Sequence, residues 1–396
     1  MDKSLGREIA DKRKEFELTQ GQLANLLGVS ETHLWRIEQG KQKVTKKVQK
    51  KIDKIFAFYE SDEPLQILFD YVRLRFETTE HLRVISEVLG INPEYMYHEP
   101  KGFYGYPEKM VFGDIVVFFS VTDKKLGVLL ELKGKGCRLF ETFLQQQGIT
   151  WFDFFRKATG EGAIVKRLDI AVDDRIGILD IRKLADKRKR DEGKFKSRKY
   201  DVYICGGEQR SEHDKQMGYT LYLGSRRSNI YFCLYEKDYE QFVQTGLEPE
   251  FAEVKNRCEI RLKDERAENA MKYLLEPEIN IEAVAFDIIY EYVTFLDPKR
   301  NVDKQEWQIN PMWSLFISGE RRRIKLTTRP EAITLKRQLK WIDKQVAPTL
   351  KMISDYEEQV GTMELEDIME NTHLSTKHRK HLEQLLAPLS EVSKCP

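Results

Sequence analysis

Apolar side chains recur at helical spacing through the first sixty residues. Ile9, Arg13 and Phe16 share one face of an opening helix; Leu23, Ala24 and Leu27 repeat the pattern, and Leu34 and Ile37 repeat it again. Thr19 and Ser30 precede the second and third helices, where a hydroxyl can accept from an otherwise unpaired amide. Gly28 and Gly40 stand where those helices should stop. Two short helices across a tight glycine-containing turn make a helix-turn-helix.

After Ser61-Asp62-Glu63-Pro64 the period shortens. Leu65–Phe76 alternates loosely, and 79–89 reads as a helix closed by Gly90. Val111–Val121 and Leu126–Leu132 are β-branched runs around Thr122-Asp-Lys-Lys125, the pattern of a hairpin. Gly134, Gly136 and Gly148 bracket a helix over 138–147. Three more strands are marked at Lys166–Asp173, Ile230–Lys237 and Arg257–Lys263. Helical spacing returns at 282–295 and 331–356, while Trp307, Trp313 and Phe316 read as core. The expectation is an α+β chain: an all-α helix-turn-helix domain at 1–62, a largely antiparallel-sheet domain at 63–330, and a helical C-terminal segment at 331–396.

Alternation within the three strands sorts their side chains by face. Asp169, Ala171 and Asp173 oppose Leu168, Ile170 and Val172; Tyr231, Cys233, Tyr235 and Lys237 oppose Phe232 and Leu234; Glu259, Arg261 and Lys263 oppose Cys258, Ile260 and Leu262. Each strand has one face for a core and one carrying acids, phenols or cations. Such a face also suits a sheet open to solvent on one side. Taken together, its groups are those of metal-assisted phosphoryl transfer to tyrosine. Carboxylates hold a hard divalent cation, and a phenol becomes a competent nucleophile beside a metal or a cation.

Composition narrows the classes. At 396 residues, 41% hydrophobic and 11% aromatic, the chain has enough apolar matter for two or three domains and is not wholly disordered. No apolar run approaches the roughly 20 residues that span a bilayer, so a cytoplasmic protein with no membrane partner is expected. Cys137, Cys205, Cys233, Cys258 and Cys395 form no CxxC pair, which disfavours a disulfide framework or a zinc site. The net charge of +1 hides basic blocks: residues 1–56 carry 13 Lys/Arg against 8 Asp/Glu, and residues 182–199 carry 10 against 3. Either block could grip a polyanion or be a solvated face, and Lys183–Lys199 reads as a DNA-gripping arm. Arg321–Arg323 and Lys325 add a further candidate phosphate contact, and 206–218 a polar loop. None of the seven histidines forms a His-hydrophobic-His pair.

Leu18–Gln42, LTQGQLANLLGVSETHLWRIEQGKQ, resembles the helix-turn-helix of the phage-repressor (Xre-like) class. The resemblance implies that the second helix of the motif enters the major groove. Glu31, Thr32, His33, Trp35 and Arg36 would then face bases, and Gln20, Gln22, Lys41 and Lys43 would lie near phosphates. Trp35 could equally be packing.

Gly224-Ser-Arg-Arg-Ser-Asn229, followed by Ile230–Lys237, resembles the signature of the replication initiation factor (Rep_trans) family. Arg167–Asp174, Gly134–Arg138 and Arg257–Lys263 extend the match over roughly residues 65–330. With the helix-turn-helix, the whole resembles MobT-type relaxases of integrative and conjugative elements. That resemblance implies a DNA relaxase that nicks one strand at an origin of transfer and stays joined to the 5′ phosphate through a tyrosine, reversibly and with Mg or Mn. Tyr235 would be the nucleophile, with Tyr231 its rival. Asp169, Asp173 and Glu259 would be metal ligands, with Asp174 in reserve. Arg261 and Lys237 would sit at the scissile phosphate, and Arg226 and Arg227 on flanking ones. Implied partners are origin DNA, duplex at the helix-turn-helix and single-stranded at the nick, with a helicase or coupling protein and a second copy as candidates. A rolling-circle plasmid initiator uses the same chemistry. A helix-turn-helix transcriptional regulator with a ligand-binding domain is the alternative of a different class.

Overall fold

The structure is a computed structural model that describes residues 3–204, 218–277, 279–318 and 328–393. Residues 206–217 of the expected loop, Arg321–Arg323 and Lys325 lie outside them. The strands are β1 (Leu65–Phe76), β2 (Tyr97–Glu99), β3 (Glu108–Phe112), β4 (Ile115–Phe119), β5 (Val128–Lys133), β6 (Ile164–Asp174), β7 (Gly193–Phe195), β8 (Tyr200–Ile204), β9 (Tyr219–Leu223), β10 (Ile230–Glu236), β11 (Asn256–Lys263), β12 (Val293–Asp297) and β13 (Gln308–Ile309). Two compact units form: residues 1–70 with 166–327, and residues 71–165 with 328–396.

The first unit begins with α1 (Lys3–Glu15), α2 (Gln20–Leu27), α3 (Glu31–Glu38) and α4 (Lys46–Glu60). The Thr19 hydroxyl accepts from the Gln22 amide at 3.1 Å, and the Gln22 side chain accepts from the Thr19 amide at 2.8 Å. This reciprocal cap satisfies two amides that the helix cannot. Gly28 closes α2 at φ 71°, a left-handed conformation in which a Cβ would be strained. Ile9, Leu23, Leu27, Leu34, Ile37, Ile52 and Ile55 form the core. Arg13 lies on that apolar face because it is paired: Nε donates to Glu38 Oε1 at 2.7 Å and Nη1 to the Leu18 carbonyl at 2.8 Å.

The sheet of this unit runs β1-β6-β11-β10-β9-β8. β6, β11, β10, β9 and β8 pair antiparallel, with Val172 opposite Cys258 and Cys258 opposite Leu234. The apolar faces expected of β6, β10 and β11 are buried, and the helices Asp264–Leu274 and Ile281–Tyr292 pack on β11. Trp313 and Phe316 are core, as expected, with Trp313 against Phe295. Trp307 is half-buried and donates to the Val302 carbonyl. The helix expected to reach residue 295 ends at Tyr292, and its last residues become β12.

The proposed basic arm is a helix, Ile181–Lys189, followed by strand β7, and several of its cations are paired. Lys187 pairs with Glu192 and Asp297, Arg190 with Glu192, and Lys196 with Glu291. Arg188 is buried, donating to the Arg198 carbonyl and lying over Phe195 and Tyr200.

In the second unit the order is β2-β3-β4-β5-β1. The single strand expected at 111–121 is two, because the chain reverses at Gly113-Asp114 and pairs Phe112 with Ile115. Both flanks of this turn are apolar, so alternation alone conceals it. The helix Lys135–Gln147 packs on β4 and β5. Lys336–Val360 is helical through a wide π turn at Ile342–Val346, followed by the helices Glu364–Asn371 and Thr376–Leu386. Among the described residues, no helix is long and apolar enough to cross a membrane.

Candidate active site

The polar faces of β6, β10 and β11 meet in the first unit. Cross-strand register places Tyr235 opposite Arg257, Cys233 opposite Glu259 and Tyr231 opposite Arg261, while Asp169 and Asp173 lie opposite Arg261 and Arg257. Tyr235 reaches diagonally, and its hydroxyl donates to Glu259 Oε1 at 2.8 Å. Arg261 donates to the other oxygen of Glu259 at 2.7 Å, and Lys237 Nζ lies 3.4 Å from the phenolic oxygen. Tyr235, Glu259, Arg261 and Lys237 are therefore brought together. Lys237 also pairs with Glu240 in the first turn of the helix Lys237–Thr245.

Electrostatics keep the phenol protonated. Burial first, and the Glu259 carboxylate second, push the Tyr235 hydroxyl well above its ordinary range. The hydrogen bond nonetheless aims its proton at a carboxylate oxygen, the geometry of a general base. Tyr231 is only 4% exposed, and its hydroxyl is approached by Arg261 at 3.5 Å, at the edge of hydrogen-bond range. Tyr235 is half-buried. Of the two candidates, it is the one whose hydroxyl donates to a carboxylate.

The expected metal ligands do not gather as a trio. Four residues of extended chain separate Asp169 from Asp173, about 13 Å. Among the described residues, no group of three or more His, Cys, Asp or Glu is placed to hold a metal ion. Asp173 is fully buried and gripped by Arg257, whose Nε and Nη2 donate to it at 2.6 and 3.0 Å while Nη1 donates to Asp70 at 2.8 Å. Asp174 faces the other way, as alternation requires. Its oxygens accept from the amides of Gly177, Ile178 and Leu179 and from Asn256, so it ties a turn to the sheet. Asp169 takes two bonds from Arg167, at 2.9 and 2.6 Å, and lies 3.9 Å from Arg261. Burial raises its carboxyl to about 6. Asp169 and Glu259 both flank the Arg261 guanidinium, at 3.9 and 2.6 Å.

Sequence reasoning missed three participants: Arg257 and Asp70, which fix Asp173, and the use of Glu259 as acceptor for Tyr235. Side-chain type marked Glu259, but only the register reveals which residue it serves. The loop preceding β10 is held by Ser228, whose hydroxyl donates to the Ser225 and Ile230 carbonyls. Gly224 opens it at φ 101°, where a Cβ would come within 3.0 Å of Tyr231 Cβ. The loop presents Arg226 and Arg227, both exposed.

In the helix-turn-helix, Glu31, Thr32, Trp35, Arg36 and Lys41 are exposed, and His33 is partly so. Trp35 is 40% exposed with Lys41 Nζ 4.4 Å from its ring centroid. Gln20 and Gln22 are otherwise engaged. Gln20 donates to Glu38 at 2.6 Å, and Gln22 completes the cap of α2.

A helix-turn-helix joined to an antiparallel sheet, with a tyrosine, its carboxylate acceptor and two cations on one face, is the combination of the relaxase and replication-initiator class. Comparison with known proteins agrees. The profile described as "Replication initiation factor" matches residues 163–369, that of the "Rolling Circle replication initiation protein N-terminal domain" matches 66–157, and a "Helix-turn-helix domain" matches 4–64. The "Putative DNA relaxase NicK" of Bacillus subtilis (strain 168) is 34% identical over 331 residues, 84% of this chain and 93% of that protein. A rolling circle replication initiator protein structure from Geobacillus stearothermophilus superposes with a TM-score of 0.57 at 26% identity, covering 67% of this chain and 99% of that one. The chain belongs to the replication initiation factor family, a family of relaxases and rolling-circle replication initiators.

Proposed function

We propose that this protein nicks one DNA strand at an origin through Tyr235 and remains linked to the new 5′ phosphate. The observation that carries this reading is the 2.8 Å hydrogen bond from the Tyr235 hydroxyl to Glu259, on a sheet face that also holds Arg261 and Lys237. Glu259 takes the phenolic proton as the tyrosine oxygen attacks phosphorus. The new bond is Tyr235 oxygen to phosphorus; the bond broken is phosphorus to the 3′ oxygen, which leaves and takes a proton from water to become a free 3′ hydroxyl. A phosphotyrosine ester stands in for the phosphodiester it replaces, so the strand can be rejoined by the reverse route. Arg261 holds the Glu259 carboxylate in place, and Lys237 balances charge at the attacking oxygen.

Asp169 and Glu259 would hold a divalent cation, which when bound supplies charge neutralisation at the phosphate. Asp173 is assigned to structure, through Arg257. The helix-turn-helix binds duplex beside the nick, with Arg36, Thr32 and Glu31 at bases and Lys41 at phosphate. In this division of labour 1–62 reads duplex, 63–330 cuts, and 331–396 is accessory. Conjugative transfer and plasmid replication share this chemistry, and the identity of the neighbouring genes distinguishes them.

The test is incubation with labelled origin DNA and Mg²⁺ or Mn²⁺. Wild type is expected to give a nick and a covalent adduct, and Tyr235→Phe neither, with duplex binding unchanged. If Tyr231→Phe instead abolishes the adduct, the nucleophile is misassigned. If wild type forms no adduct, the reading fails.

A further inference from the structure

The tyrosine-bearing face of the sheet continues beyond β10 to its edge. Tyr235 is directly opposite Thr220 on β9, and Thr220 is directly opposite Tyr203 on β8. These three side chains therefore form one rank on one face. Tyr203 and Tyr235 are two strand spacings apart, about 10 Å, with only the short Thr220 between them. Beside this rank Tyr222, opposite Cys233, shares the same face.

Cations are interleaved with these rings. The Arg226 guanidinium carbon lies 5.1 Å from the Tyr203 ring centroid and 5.2 Å from that of Tyr222, and it donates to the Tyr203 hydroxyl. The two rings meet edge to face at 5.6 Å. Arg261, which holds Glu259, lies 5.9 Å from Tyr222. Alternating phenol and guanidinium thus run from the sheet edge to the acceptor of the Tyr235 proton. Tyr203 is nevertheless 46% exposed, a large ring held in position by Arg226 and left open to solvent.

We propose that Tyr203 and Arg226 form a subsite for an unpaired nucleotide flanking the scissile phosphate: the base stacks on Tyr203, over Thr220, and its phosphate meets Arg226. This rests on the reading of the chain as a DNA-strand nickase. A ring stacks on any base through its π face, whereas a guanidinium contacts the backbone regardless of base, so the two contributions separate by experiment. Orienting the neighbouring nucleotide also orients the phosphate that Tyr235 attacks.

The test is fluorescence anisotropy with two labelled 20-unit strands, oligo-dT and a fully abasic strand of the same length, bound by the full chain without metal. Wild type is expected to prefer oligo-dT by about tenfold, on the scale of one stacked base. Tyr203→Ala should remove most of that preference while leaving affinity for the abasic strand unchanged, and Tyr203→Phe should retain it. Arg226→Ala should weaken the abasic strand and flatten the salt dependence, with a further loss on oligo-dT from the ring it holds. A preference that survives in Tyr203→Ala overturns the stacking assignment, as does an equal loss on both strands. An Arg226→Ala effect confined to oligo-dT overturns the phosphate assignment. No cleavage is needed, so a failure here is distinct from failure of the nickase reading, which shows as an absent adduct in wild type.

Discussion

The helix-turn-helix and the sheet face of the first unit both depend on hydrogen-bonded polar side chains, but they divide the work differently. In the helix-turn-helix, Arg13, Glu38, Gln20 and Gln22 bond to one another or to backbone and hold the helices, while Glu31, Thr32, Trp35 and Arg36 point outward. Holding and reading fall to separate residues. On the sheet, the same residue types stand in one layer, and Glu259 both binds Arg261 and accepts from Tyr235. Structure and chemistry are therefore nearly separable in one region and entangled in the other.

The sharpest way to break that contrast is a matched pair of carboxylate substitutions on the sheet. Glu259→Gln keeps the shape but removes the base, and cleavage should fall by about 10²–10⁴ in single-turnover assays. Its denaturation midpoint should fall too, because Glu259 is buried and paired with Arg261, but by less than for Asp173, since Arg261 is partly exposed and keeps Asp169 3.9 Å away. Asp173→Asn should cost stability but not cleavage. It weakens a buried ion pair and leaves Arg257 facing only Asp70, a loss of about 3 kcal/mol in urea unfolding. Residual cleavage per folded molecule should remain close to wild type. If Asp173→Asn is instead fully stable and inactive, Asp173 belongs to the chemistry, and the division drawn here is wrong.

That pair also marks where the sequence was legible. Caps and turn of the helix-turn-helix are set by neighbours within four residues, and Thr19, Gly28 and Ser30 announce them. Alternation likewise sorted the faces of β6, β10 and β11, and Asp174 lies on the face opposite Asp173, buried. What alternation cannot supply is register. Asp169 and Asp173 share a face yet lie four residues apart, so they serve different arginines. Arg257 reaches Asp70, 187 positions away in the chain. The hairpin at Gly113 was hidden for a related reason: apolar runs on both sides of a turn read as one strand. Local chemistry is written locally, whereas a site assembled across strands depends on pairings that no short window contains.

A second contrast sits within the helix-turn-helix. Arg36→Ala should weaken duplex binding by about 1–3 kcal/mol, with the melting temperature preserved. Gln22→Ala should cost about 1 kcal/mol of stability by removing half of the reciprocal cap, with little effect on binding per folded molecule. Gel-shift titrations beside thermal melts read both quantities. A Gln22→Ala variant that melts normally but loses DNA would return Gln22 to the phosphate-contacting set.

The smallest expected effect sharpens the idea that the sheet region carries charge at a cost. Asp238 lies in the first turn of the helix Lys237–Thr245, where a helix N-terminus favours a carboxylate. Burial outweighs this, with Glu236 adding to it, and its carboxyl is raised to about 6. The sign follows from linkage. The folded state holds the proton more tightly than the unfolded chain, so ionising Asp238 opposes folding: the cost is absent near pH 3, grows between about pH 4 and 6, and is complete above. A two-unit shift corresponds to about 3 kcal/mol at most, and partial exposure reduces this to about 1 kcal/mol. Asparagine can still accept from the Tyr239 amide, which the aspartate meets at 2.8 Å. Asp238→Asn should therefore be more stable than wild type by about 1 kcal/mol at pH 7.5 and nearly equal to it at pH 4 in urea titrations. A gain of the same size at both pH values would mean that removing the charge is not what stabilises the variant.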